Sequence, residues 1–250
     1  MSNWLNPDNK IFTFMGKVFD VLVLNTIWLL LCLPLPILTV VWIAKTESFL
    51  FLILTFLTLL PIVPATTALY YAIVKSIRRE RSYAIKEYFR SFVRNFRQGA
   101  VFSVIAIVLI TVLYIDFQYA WNLMQAGESS GSTYFGIFIV ITLLFGAMYM
   151  YVCPLLSRFE MKTAGIFKTA FVMGARHLLT TVVLLALAIG VLLGCYILLP
   201  GIFFLPALAT LLASFVMEKV FKKYMPEKEE PEVDEMGEEI GQEKDEWYLE

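Results

Sequence analysis

Apolar residues in this chain come in long blocks rather than in alternation with polar ones. Six blocks can be drawn, at about residues 17–42, 49–77, 99–121, 133–156, 178–199 and 201–221. A helix needs about 20 residues to cross a bilayer, and these blocks are of that order. The Pro200–Gly201 step is a turn signal. It divides what is otherwise one apolar run from Leu178 to Met217, too long for a single span. The pattern predicts an all-α fold, a polytopic transmembrane helical bundle of six spans. A five-span arrangement ranks second, because it puts the basic connections at residues 75–97 and 158–177 on opposite sides or needs a re-entrant segment.

Composition agrees. Of 250 residues, 59% are hydrophobic and 16% charged, and the mean hydropathy is +0.74. A soluble domain of this length cannot hide so much apolar surface. The opening MSNWLNPDNKIF has no basic stretch leading into a short apolar core and a small-residue cleavage site. The first block is therefore expected to stay in the mature protein.

The distribution of charge orients the spans. Residues 75–97 hold Lys75, Arg78, Arg79, Arg81, Lys86, Arg90, Arg94 and Arg97 against Glu80 and Glu87. Residues 158–177 hold Arg158, Lys162, Lys168 and Arg176 against Glu160, and the last block is followed by Lys222 and Lys223. The intervening connections are nearly free of cations, with Lys45 and Glu47 in one and Glu128 in the other. Basic connections face the cytoplasm, which puts the N- and C-termini there too. Trp42 and Trp121 fall at the outer ends, where such rings prefer the headgroup level.

The basic connections are not plain loops. Across Tyr83–Gln98, the apolar Ile85, Tyr88, Phe89, Phe92 and Phe96 recur at helical spacing, with Lys86, Arg90, Arg94 and Arg97 opposite. The expectation is an amphipathic cytoplasmic helix at the membrane interface, its charges toward anionic headgroups. Ile166, Phe167, Ala170, Phe171 and Gly174 form a weaker copy. FRSF at Phe89–Phe92 and FKTAF at Phe167–Phe171 each precede a span, and Pro64–Ala65 is echoed by Pro206–Ala207. This suggests an internal repeat of basic helix, span, outer turn and span. From Pro226 the chain turns acidic, with twelve carboxylates from Glu227 onward, and reads as a disordered cytoplasmic tail. A solvated tail is the plainer reading. The sharper one has it compete with headgroups for the basic helix.

Candidate chemistry is sparse. Cys32, Cys153 and Cys195 each sit alone in an apolar block, and His177 has no partner at ligand spacing, so neither a disulfide framework nor a metal site is expected. No HExxH, GxSxG or phosphate-binding loop is present. No enzyme, cofactor or nucleic-acid role is expected. Asp20 reads as a salt-bridging or capping group near the inner end of the first span. Asn25 reads as an interhelical hydrogen bond within it. Asp116, toward the outer end of the third span, is the best single candidate for a functional intramembrane group, although its interfacial position favours the plainer, non-functional reading. Pro61, Pro64, Thr66 and Thr67 form the most unusual cluster, read first as a kink that lets the second span pack and second as a hinge or small polar pocket.

The stretches FMGKVFDVLVLNTIW (residues 14–28), LPIVPATTALYY (60–71) and EYFRSFVRNFRQ (87–98) resemble the bacterial YesL family, a domain of unknown function. The resemblance implies a membrane protein of the bacterial cell envelope with an accessory role near carbohydrate uptake and degradation systems. It implies no catalytic residue. In the family a Leu-Pro turn leads directly into the Thr-Ala-Leu-Tyr helix, whereas here a further apolar stretch stands between LPLPILTV and LPIVPATTALYY. The expected function is a non-enzymatic accessory protein whose partners are anionic lipid headgroups and a membrane transport complex. The alternative is a small-solute permease or permease subunit. A solvated midplane cavity reaching Asn25, Thr66 or Asp116 would favour the alternative. The sequence sets no oligomeric state.

Overall fold

The computed structural model describes residues 10–46, 49–78 and 83–224, and all its regular structure is helical. The expected tail at 226–250 lies outside the described residues, as do Arg79 and Arg81. In order come α1 (Lys10–Cys32), α2 (Pro34–Thr46), α3 (Phe49–Leu59) and α4 (Ile62–Ala72), which runs into a π-helical turn at Ile73–Arg78. α5 (Ala84–Gln125), α6 (Ser129–Arg158), α7 (Thr163–Arg176) and α8 (Leu178–Ile197) follow. A 3₁₀ turn at Leu199–Phe203 then leads to α9 (Leu205–Phe221).

Five helical stretches are long and apolar enough to cross a membrane: Phe14–Trp42, Ile53–Arg78, Ala84–Gln125, Ser129–Arg158 and Leu178–Ile197. Their exposed faces are rich in Leu, Ile, Val and Phe, as lipid-facing surfaces must be. The chain is a membrane protein. The sixth expected span folds as α9, 17 residues long, at the short limit for a crossing. Pro200 and Gly201 sit in the 3₁₀ turn before it, where the turn was expected.

The first two expected spans are each interrupted. Leu33 separates α1 from α2, and Pro34 opens the second helix. Leu60 and Pro61 separate α3 from α4, with Pro61 at the N-cap. α2 and α3 pack on each other as a helical hairpin. The hairpin takes in most of LPLPILTV and the further apolar stretch that stands before LPIVPATTALYY. The break falls at Leu60–Pro61 and not at Pro64. Pro64 lies in the first turn of α4, where its missing N–H has no helical acceptor to lose.

The core lies at one end. α4 is buried almost throughout, with Ala65, Ala68 and Ala72 fully enclosed, and packs most extensively on α5. Gly99 permits this: a Cβ there would stand 2.8 Å from Cγ of Pro64. One cluster joins Leu24 of α1, Leu69 and Ile73, Tyr88 of α5 and Ala207 of α9. A second joins Val74, Phe102, Tyr151, Met173, Met217 and Phe221. At the other end, α5 and α6 are linked by a Schellman turn. Gly127 takes φ +78°, its N–H reaches the Met124 carbonyl at 3.1 Å, and the Glu128 N–H reaches the Leu123 carbonyl at 3.1 Å.

Candidate functional site

Two polar groups hold the two restarted helices. Asn25 is fully buried. Its Nδ2 donates to the Ile202 carbonyl at 2.8 Å, and its Oδ1 accepts from the Ala207 N–H at 2.9 Å. α9 has no side-chain cap of its own, so α1 supplies one from 182 residues away. Ser103 of α5 does the same for α4. Its hydroxyl donates to the Leu60 carbonyl at 2.7 Å and accepts from the Val63 N–H at 3.3 Å. Orphan groups at a helix start need such partners, and inside a bilayer no water offers them. Asn25 thus makes the structural bond expected of it, and Ser103 is a residue the sequence reading passed over.

Thr66 belongs to the same junction. Its hydroxyl donates to the Ile62 carbonyl at 2.8 Å and accepts from Trp28 Nε1 at 3.1 Å. Asn25 and Trp28 are three residues apart, on one face of α1. The structure therefore brings Asn25 and Thr66 to one meeting of α1, α4 and α9, while Pro64 packs on Gly99 of α5. Thr67, next along, is fully buried. Asp20 is half-buried on α1. Asp116 is not part of the group. It lies 17 residues beyond Gly99, about 25 Å along α5, and is half-buried. A groove of about 370 Å³ lies between α8 and α9, lined by Val183, Ala186, Leu187, Gly190, Val191, Leu205, Leu208, Ala209 and Leu212. It is apolar, and none of Asn25, Thr66 or Asp116 borders it.

Buried charge sits at the basic end. Lys75 Nζ lies 3.5 Å from Glu87 Oε2, with both side chains under 5% exposed, and 5.7 Å from the centre of the Tyr71 ring. Arg158 makes two contacts with Glu218, Nη1 to Oε1 at 3.2 Å and Nη2 to Oε2 at 3.3 Å. Arg78 donates to the Ser214 carbonyl at 3.0 Å and stacks over Phe215 at 4.3 Å. Glu87 had counted only as a minority anion in a basic connection. Its spacing with Ala84, Tyr88 and Ser91 is the signal that it faces inward.

The first half of α5 has three faces rather than two. Ala84, Glu87, Tyr88 and Ser91 face inward and are buried. Ile85, Phe89, Val93 and Phe96 form an exposed apolar strip. Lys86, Arg90, Arg94 and Arg97 form an exposed basic one. The expected amphipathic helix is present, yet it does not lie apart from its span. It is collinear with it, in one helix of 42 residues, because it docks along α4. Arg94 pairs with Glu160, and Gln98 Nε2 donates to the Met161 carbonyl at 2.9 Å. These contacts pin the α6–α7 connection to α5. α7 repeats the plan, with Ile166, Ala170 and Met173 buried, Phe167 and Phe171 exposed, and Lys168 beside them.

His177 joins α7 to α8. Its Nε2 lies 2.9 Å from the Tyr224 hydroxyl beyond α9. Partial burial and then the nearby Lys223 and Arg176 hold its imidazolium pKa below the ordinary value. Among the described residues, no group of three or more His, Cys, Asp or Glu side chains gathers as metal ligands.

Residues 21–117 match the family described as "Protein of unknown function, DUF624". They cover α1 from Val21 through most of α5, and so include Asn25, the Pro64–Thr67 turn, Ser103 and the three-faced helix. The chain is also similar to "Uncharacterized protein YesL" of Bacillus subtilis (strain 168), 25% identical over 147 residues, which are 58% of this chain and 66% of the relative. The matched part thus spans just under two thirds of that relative. No solved structure matches. Over residues 21–117 the chain is thus similar to a family of unknown function, and over a longer stretch to an uncharacterised bacterial protein.

Proposed function

We propose that the chain is a non-enzymatic accessory protein of the bacterial cell membrane. It crosses six times, with α9 as the sixth span, and keeps both termini and both basic connections in the cytoplasm. It works through contacts between helices and through the exposed faces of α5 and α7 at the basic end. The observation that carries this reading is the division of labour among polar groups. Asn25, Ser103 and Thr66 are spent on the fold's own backbone and on Trp28. The free cationic surface is gathered at one end. The link to carbohydrate uptake rests on the family resemblance alone, and anionic headgroups are the natural neighbours of Arg97 and Lys168.

A second reading, a small-solute permease or permease subunit, draws on one observation. α4 and α9 both restart after a break against α1, and discontinuous helices are a common way to build a transport site. Co-purification from native membranes separates the two. The accessory reading expects a membrane transport component to be recovered with the chain, and its recovery to fail when Lys86, Arg90 and Arg97 are replaced by Glu. Solute uptake by the purified chain alone in proteoliposomes would overturn it.

A further inference from the structure

With the hydrocarbon edge placed where the continuous apolar run of α5 begins, the apolar strip on its first half is too far out for lipid tails to cover it. The continuous apolar run of α5 begins at Gly99. Along the helix axis Phe89 is then about 15 Å, and Ile85 about 21 Å, from the hydrocarbon edge. A tilt of about 40°, the upper end of the usual range, still leaves them roughly 11 and 16 Å away. The headgroup layer adds only about 5–7 Å. Yet Ile85 is 49%, Phe89 46% and Val93 74% exposed. A bare apolar strip flanked by arginines suits a helix with an apolar ridge and carboxylates around it.

The C-terminal segment of the same chain has that chemistry. Val233, Met236, Ile240 and Trp247 are three, four and seven residues apart. On a helix they fall within a sector of about 60°. Asp234, Glu235, Glu238, Glu239 and Glu246 occupy other sides. The described chain ends at the same basic end, with the Tyr224 hydroxyl 2.9 Å from His177 Nε2. The Phe221 ring lies 5.3 Å from Phe159 at an edge-on angle of 87°, and the residue after Phe159, Glu160, is paired with Arg94. The basic face of α5 thus already holds one carboxylate of its own chain. Residues 225–232 reach at most about 27 Å when extended.

We propose that residues 233–247 dock on the apolar strip of α5 in the same molecule, with their carboxylates toward Lys86, Arg90 and Arg97. The contact rests on the reading that the basic end is the working face, and it makes the tail a competitor for whatever partner that face takes.

The test is a bis-maleimide cross-link in full-length protein in native membranes, between Phe89→Cys and Ile240→Cys. Ser130→Cys with Ile240→Cys, at the opposite end of α5, is the control pair. The expected result is an intrachain link at least ten-fold above the control, lost when Lys86→Glu and Arg90→Glu are added. A link no stronger than the control, one that survives charge reversal, or one found only in covalent dimers would overturn the proposal. So would a nitroxide at Phe89→Cys that reports lipid contact with or without residues 226–250. These readouts concern the contact alone, so its failure leaves the accessory reading to its own co-purification test.

Discussion

The two halves of the α5–α6 pair are built under different rules. Near the basic end, α5 buries Ala84, Glu87, Tyr88, Ser91, Gly99, Phe102 and Ser103, and α6 buries Met148, Tyr151, Val152 and Pro154–Arg158. Between Ser103 and the turn, α5 buries only Ala120, and before Met148 α6 buries only Gly131. The packed half carries tertiary caps, paired charges and the approach of Gly99 to Pro64, while the close backbone approach of the other half is at the α5–α6 turn, where a Cβ on Gly131 would stand 2.6 Å from the Met124 nitrogen. The outer half shows Val108, Ile110, Tyr114 and Leu144 to its surroundings. Lipid tails are as apolar as those side chains, so burying them against protein gains little. Specific structure is therefore concentrated where polar groups must be satisfied.

The largest test of that contrast is the buried ion pair. Glu218→Ala removes the buried carboxylate that pairs with Arg158 and is expected to cost about 3–5 kcal/mol, read as a lowered midpoint in denaturant titration of the purified protein. Replacing Arg158 and Glu218 together by Met and Leu should recover most of that loss. Next come two glycines. Gly99→Leu drives its side chain into Pro64, where a Cβ alone already stands at 2.8 Å. It is expected to cost about 1–3 kcal/mol or more. Gly136 on the outer half has nothing within 4 Å of its Cβ position, so Gly136→Leu should leave the same midpoint unchanged. An equal loss at both sites would erase the distinction between the halves.

Smaller effects refine it. Asn25→Ala removes the cap on α9 and should cost about 1 kcal/mol, with faster backbone exchange confined to the start of α9. The smallest concerns pH. Because the folded state depresses the His177 pKa, it binds fewer protons than the unfolded chain near and below the ordinary histidine pKa of about 6.5. Stability is then full above that pH and declines slightly as pH falls through it. His177→Gln should flatten the decline, and an unchanged pH profile would show that burial and the nearby Lys223 and Arg176 impose no such coupling.

Much of this architecture was legible in the chain. The apolar blocks gave the helices, Pro200–Gly201 gave the turn before α9, and the FRSF and FKTAF segments gave two helices with matching exposed faces. Pro64–Ala65 and Pro206–Ala207 do mark corresponding places, the first turns of the two restarted helices. What was hidden depends on pairs far apart in sequence. Nothing near Glu218 announces Arg158, and Ser103 looks like any hydroxyl in an apolar helix until Leu60 and Val63 are placed beside it. The α2–α3 hairpin was hidden for another reason. Its residues are as apolar as a span, and composition alone does not tell a hairpin from the continuation of a crossing helix.

The most direct test of the account is accessibility to a membrane-impermeant maleimide at three single cysteines. Arg90→Cys is on the exposed basic face, Ser91→Cys on the buried face one residue away, and Ser130→Cys at the opposite turn. The account predicts that Ser130→Cys labels in intact cells, that Arg90→Cys labels only when the cytoplasmic side is opened, and that Ser91→Cys resists labelling from either side. Labelling of Arg90→Cys and Ser130→Cys from the same side, or of Ser91→Cys as fast as Arg90→Cys, would contradict it.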